Sequence, residues 1–236
     1  MSMSQDEMKY QSGAPGTPED IGDDVIISSD TRRENRIPPG QTRTRKWPVL
    51  HYGRVPVVPL DSWRLDIFGL VETPLSVSWE EFQALTRVKV FSDFHCVTRW
   101  SRLGNIWEGV SIRELLSRTG IKPEAKFIVA TGYDDGWTTN LPLEDFMAED
   151  ALVVDLHDGE PLTADHGGPA RLVVPLLYAW KSAKWLKSIE LTAEDCPGLW
   201  EQAGYHNHGD PWIQNSQNPD GERFQTPSIP PPGYSE

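Results

Sequence analysis

Between positions 63 and 69 the chain alternates: Trp63, Leu65 and Ile67 are apolar, while Arg64 and Asp66 between them are charged. A period of two marks a strand with one buried face. Further apolar stretches predict strands at 126–131, 151–156, 171–174 and 186–191. Two helix starts are written in the polar positions. Ser78 stands three residues before Glu81, the spacing of a capping box, and predicts a short helix through Leu85. Ser111 and Glu114 repeat the device, and Gly120 supplies the stop. Loops rich in Gly, Pro and Asp at 132–136 and 157–161 separate these elements. Many strands, few short helices and no regular βαβ alternation predict an α+β fold, a single β-rich mixed domain.

Composition sets the outer limits. With 236 residues, 38% of them hydrophobic, the chain can bury one sizeable core. A formal net charge of −13 argues against a nucleic-acid partner, which needs a cationic groove. No apolar run approaches the roughly 20 residues that cross a bilayer, so no membrane partner is expected. Positions 1–24 are polar, and Arg32-Arg33 is followed by polar residues rather than an apolar export segment; a cytoplasmic location is the expectation. Positions 1–30 read as disordered or loosely draped. Arg32, Arg33, Arg36, Arg43, Arg45 and Lys46 then form a basic run opposed only by Glu34. That run suits a solvated face, or an arm laid over an anionic ligand or an acidic partner. The predicted division is a polar arm at 1–46, a folded domain at 47–224 and a Pro-rich tail at 225–236.

The chemistry concentrates in two places. Phe94-His95-Cys96-Val97-Thr98-Arg99-Trp100-Ser101 sets one cysteine among a histidine, an arginine and a tryptophan. With only two cysteines present, Cys96 suits a nucleophile, or one thiolate ligand on a soft metal whose other ligands come from a cofactor. Downstream, His166-Gly167-Gly168 leads to Arg171, and Lys181 and Lys184 follow. Arginine and lysine suit phosphate, and the glycines permit close approach of backbone N–H groups to an anion. Taken singly, a Gly-Gly-Pro turn or a Lys-Ser-Ala-Lys hairpin is ordinary.

Four segments recur together in order: Phe94-His95-Cys96-Val97, the turn Gly159-Glu160-Pro161-Leu162, the run His166 to Pro175, and Lys181-Ser182-Ala183-Lys184-Trp185. In this the chain resembles the molybdopterin-binding catalytic domain of the sulfite oxidase family, a domain shared with bacterial protein-methionine-sulfoxide reductase catalytic subunits. The resemblance implies that fold, a molybdenum and molybdopterin cofactor, and oxygen-atom transfer on a small S- or N-oxide or a sulfur oxyanion. It makes Cys96 the protein's metal ligand. It assigns pterin and phosphate contacts to His51, Tyr52, Thr131, His166, Arg171, Ser182, Ala183 and Lys184. The substrate mouth is expected at Arg99, Trp100, the loop 204–210 with Tyr205, and Trp212. Neither an immunoglobulin-like second domain nor a haem-binding His-Pro-Gly-Gly motif is present in this sequence, so a separate electron-transfer partner is expected. Two other readings remain at this level: a Cys96-dependent hydrolase with His166 as base, and a non-enzymatic module that binds an anion or a partner.

Overall fold

The computed structural model of the protein describes residues 16–134 and 136–225. Among them run β1 (Val25–Ile27), β2 (Thr42–Thr44), β3 (Arg64–Gly69), β4 (Leu75–Ser78), β5 (Val88–Cys96) and β6 (Trp100–Ser111). Then follow β7 (Phe127–Gly132), β8 (Thr138–Pro142), β9 (Leu152–His157), β10 (Glu160–Pro161), β11 (Arg171–Val173) and β12 (Leu186–Thr192). Four short helices sit between them: α1 (Trp79–Gln83), α2 (Ile112–Ser117), α3 (Leu143–Phe146) and α4 (Leu199–Gln202). The fold is α+β.

The strands form two mixed sheets. One runs β1-β5-β6-β9-β10, with β11 also on β9 and β2 also on β6; the other runs β4-β3-β12-β7-β8. Leu65 and Ile67 of β3 are fully buried while Phe68 faces solvent, as the period of two requires. In β9 the unbroken run Leu152-Val153-Val154 has a different cause. Val153 joins the large core with β3, β12 and the helices, whereas Leu152 and Val154 join a second cluster with Trp47, Phe94 and Trp107. A strand buried on both faces has no polar side to alternate with.

Both helix starts form. Ser78 Oγ accepts from Glu81 N, and Glu81 Oε2 accepts from Ser78 N at 2.8 Å, completing the capping box. The helix ends at Gln83, short of Leu85. Ser111 Oγ accepts from Glu114 N at 3.1 Å, and Gly120 takes φ +66° after the helix end.

The long hairpin β5–β6 has no counterpart in the sequence pattern, because polar residues are buried in it among apolar ones such as Val90, Phe94 and Trp107. Ser92, Asp93, His95, Ser101 and Asn105 are all essentially sealed from solvent. They are satisfied internally: Trp107 Nε1 donates to Ser92 Oγ at 2.9 Å, and Arg102 pairs with Asp158 at 2.6 Å. Buried polar groups that pair in this way are stable but leave no hydrophobic rhythm to read.

The N-terminal segment also departs from expectation. From Val25 onward it is packed rather than draped: β1 adds parallel to β5 (Val25↔Lys89), and β2 adds parallel to β6 (Thr42↔Trp100). Ser28, Asp30 and Thr31 are buried. Asp30 Oδ2 lies 3.3 Å from His95 Nε2, whose other ring nitrogen bonds Ser101 Oγ at 2.8 Å. Part of the basic run is structural. Arg36 forks onto the fully buried Asp93 with contacts of 2.6 and 2.8 Å, and Arg33 lies over the Trp212 ring. The expected disorder of the first residues and the Pro-rich tail fall, for 1–15 and 226–236, outside the described residues.

Removing Arg36 strands a carboxylate in the interior. Arg36→Ala is therefore expected to lower the unfolding free energy by about 3 kcal/mol or more. Chemical denaturation checks this, and the loss should shrink when Asp93→Asn is made in the same chain.

Candidate active site

β5 ends on Cys96, and a tight turn follows in which Arg99 N donates to Cys96 O at 3.0 Å and Arg99 takes φ +69°. This turn aims the Cys96 side chain into a cavity of about 260 Å³. Thr98, within the same turn, folds back so that its hydroxyl donates to Cys96 Sγ at 3.1 Å. Burial pushes the Cys96 thiol up, with the Thr98 hydrogen bond acting the other way. A thiol held protonated by its surroundings is a poor nucleophile but gains from a cation that stabilises its thiolate.

Two cations line the same cavity. Arg171, at the start of β11, is buried and donates only to backbone carbonyls: His166 O at 2.9 Å, Ser182 O at 2.8 Å and Leu172 O at 3.3 Å. Lys184 likewise donates to the carbonyls of Leu50 (2.8 Å) and Asp165 (2.6 Å). Burial lowers Arg171 to about 9. Burial, reinforced by the Arg171 charge, lowers Lys184 to about 7. Carbonyl dipoles orient these cations without cancelling their charge, which leaves the cavity receptive to an anion.

Aromatic rings make most of the remaining wall: Trp47, Trp100, Trp137, Trp180, Trp200 and Tyr205, with Tyr52 at the opening. Tyr205 stacks on Trp200 at 4.9 Å and meets Trp180 edge-on at 5.1 Å. Trp180 is fixed from behind, its Nε1 donating to Glu201 Oε1 at 2.9 Å. Asp134 is also among the lining residues.

Of the residues singled out in the sequence, His51, Tyr52, Cys96, Arg171, Ser182, Lys184 and Tyr205 line this one cavity, as does Trp100. Others lie elsewhere. Arg99 turns outward to an exposed ion pair with Asp220 at 3.4 Å, because its left-handed backbone points the side chain away from the cavity. Trp212 packs edge-on against His95 and under Arg33. Thr131 lies in β7, and Ala183 is buried with its carbonyl accepting from Leu172 N. His166 stands behind the wall, its ring stacked on Trp47 at 3.9 Å and its Nε2 3.2 Å from Trp47 O. That placement also removes it as the base of a Cys96 hydrolase.

Lys181 belongs to no cradle: it is fully buried against Glu201 at 2.7 Å. The glycines serve packing rather than anion capture. Gly167 N and Gly168 N are spent on Ala164 O and Thr163 O. Side chains there would collide with Lys184 and with Leu162 O. In the loop 204–210 only Tyr205 reaches the cavity. His208 is held between Asp145 (3.0 Å) and Glu222 (2.8 Å), and these hydrogen bonds raise it to about 9.

Sequence reasoning missed Thr98, Asp134, Trp137, Trp180 and Trp200. Asp134 and Trp137 sit in a loop legible only as a loop, and the tryptophans look like core residues. The available signal was their number, ten in this chain.

A lone thiol sharing a cavity with the buried Arg171 guanidinium and the half-buried Lys184 ammonium suits an anionic cofactor that carries a soft metal. Among the described residues no cluster of three or more His, Cys, Asp or Glu side chains is placed to hold a metal. The residues present fit a phosphate-bearing pterin dithiolene. Comparison with known proteins gives the class its family: the chain belongs to the oxidoreductase molybdopterin-binding domain family, whose model matches residues 52–200. It is a molybdopterin-dependent enzyme. An uncharacterized oxidoreductase of Bacillus subtilis (strain 168), YuiH, is 48% identical over 181 residues, covering 76% of this chain and 91% of its own. The protein-methionine-sulfoxide reductase catalytic subunit MsrP of Campylobacter jejuni is 28% identical over 209 residues, covering 74% and 68%. The structure of sulfane dehydrogenase SoxCD from Paracoccus pantotrophus superposes with a TM-score of 0.58 at 26% identity, over 61% of this chain and 42% of that one.

Lys184, with a pKa of about 7, would give the loading of a phosphate-bearing cofactor a pH dependence. A phosphate bound beside it would raise that pKa. Its contribution to binding is therefore complete below pH 7 and fades as pH rises past it. Pterin retention, read by fluorescence after equilibration between about pH 6 and pH 9, should fall with pH in the unmodified protein. Lys184→Gln should bind more weakly at low pH and lose most of that slope.

Proposed function

We propose that this enzyme reduces a small uncharged organic S- or N-oxide, with electrons supplied by a separate redox protein. The observation that carries the reading is the composition of the cavity wall. Aromatic rings surround the thiol, the cations Arg171 and Lys184 would be taken by the cofactor's phosphate, and Arg99 lies outside. A wall of this kind suits a neutral molecule with an apolar substituent. The name of the C. jejuni relative, a protein-methionine-sulfoxide reductase catalytic subunit, supports the same chemistry.

When bound, the molybdenum cofactor supplies two-electron oxygen-atom transfer. Cys96 would hold the metal, and Arg171, Lys184 and Ser182 would hold the pterin and its phosphate. Thr98 orients the Cys96 sulfur, and the tryptophan rings exclude water and position the substituent. Reduction of a sulfoxide consumes two electrons and two protons and releases a sulfide and water. Tyr205, a lining residue set among Trp180, Trp200 and Phe224, would serve as proton donor to the substrate oxygen.

Steady-state assays on fully loaded enzyme test the reading. Sulfoxide or N-oxide reduction with reduced viologen should exceed sulfite oxidation with ferricyanide; faster sulfite turnover would overturn it. Tyr205→Phe should lower kcat on the order of 10²-fold at unchanged molybdenum content, the usual scale for loss of a positioned acid. An unchanged kcat would remove Tyr205 from the reaction.

A further inference from the structure

Charge is unevenly spread along this chain. The protein carries a net −13, yet positions 35–60 hold five cations (Arg36, Arg43, Arg45, Lys46, Arg54) and not one Asp or Glu. Arg36 is taken up by Asp93; the other four are exposed. Apolar exposure gathers in the same stretch. Of the seven large hydrophobic side chains exposed among the described residues, five lie here: Val49, Leu50, Tyr52, Val57 and Leu60. Val57 is 93% exposed. Singly scattered exposed hydrophobics need no explanation, but a cluster rimmed by charge marks an interaction site.

The location gives the cluster its meaning. Leu50 and Tyr52 line the active-site cavity, and β2, which carries Arg43, pairs with β6 at Trp100 of the cavity wall. The cavity's internal phosphate cradle does not use the exposed cations. A basic and apolar stretch thus continues from the cavity entrance at Leu50 and Tyr52, on a protein of net negative charge. Such a stretch steers and seats an acidic partner.

We propose that residues 43–60 form the docking surface for an acidic one-electron carrier protein, which covers the cavity mouth while it delivers electrons. The proposal rests on the reductase reading only for the direction of electron flow. Two docking events, each oxidising one carrier by one electron, supply the two electrons consumed per substrate. Because Leu50 and Tyr52 belong both to this stretch and to the entrance, a seated carrier and an entering substrate exclude each other.

The test uses holoenzyme and a reduced acidic [2Fe–2S] ferredoxin as probe, with its oxidation followed by stopped flow. Arg43→Glu and Arg54→Glu are combined, since neither side chain lines the cavity. For the unmodified enzyme the second-order rate should fall steeply as ionic strength rises from about 0.01 M to about 0.5 M. The double variant should be slower by about tenfold or more at low salt and nearly insensitive to salt. Val57→Asp should slow the reaction even at high salt, where charge is screened. Sulfoxide reduction driven by reduced methyl viologen should be the same in all of them. Equal ferredoxin rates in the unmodified enzyme and the double variant, or rates indifferent to salt, would overturn the proposal. Charge-dependent ferredoxin oxidation without sulfoxide turnover would leave the docking surface standing and sink the substrate reading instead.

Discussion

The buried guanidinium of Arg171 gathers three pieces of backbone, the carbonyls of His166, Leu172 and Ser182, around a charge with which no carboxylate forms an ion pair among the described residues. Those hydrogen bonds fix the turn before β11 against the segment that leads to β12. That closure places Lys184 beside Gly167 and carries Ser182 into the cavity wall. The site is therefore assembled in an electrically incomplete state. An ion pair would have stabilised the empty fold and spoiled the cavity, because a guanidinium already matched to a carboxylate has little left for phosphate.

Three residues upstream of Lys184, Lys181 shows the opposite solution. It is sealed against Glu201, and the same carboxylate accepts from Thr139 and from the Trp180 indole. One lysine thus braces the aromatic wall from behind while the other faces the cavity. Their difference lies in burial and partners, since the side-chain types are identical. All three of these contacts converge on Glu201 Oε1, and such convergence gives rigidity, which an active-site wall needs if it is to exclude water.

Much of this was legible in the residues. The α+β class, both helix caps and the strands from β3 onward that carry clean apolar patterns follow from local rules. The two chemical segments, around Cys96 and from His166 to Lys184, do meet at one cavity. What stayed hidden has physical causes. The β5–β6 hairpin buries Ser, Asp, His and Asn, so its periodicity is masked by internal hydrogen bonding. Arg99 looks like a neighbour of Cys96 in sequence, but a positive φ turns its side chain away. The packing of β1 and β2 depends on backbone pairing to distant strands, which composition cannot report. Asp134 and Trp200 reach the cavity from loops and a one-turn helix, where neither period nor capping marks a position.

Along a strand, neighbouring side chains point to opposite faces. β5 uses this at its last two positions: Cys96 enters the cavity, while His95 turns to the other side and meets Asp30 of the N-terminal segment. The strand end that presents the Cys96 sulfur to the cavity is thus the floor on which that segment lies. Neither surface can fray alone, since loss of the β5 terminus exposes both. Docking of the amino-terminal segment and capture of the cofactor accordingly belong to one cooperative unit. A cofactor bound to the native state then slows amide exchange in β1 and around Asp30, on the face of the sheet that it never touches.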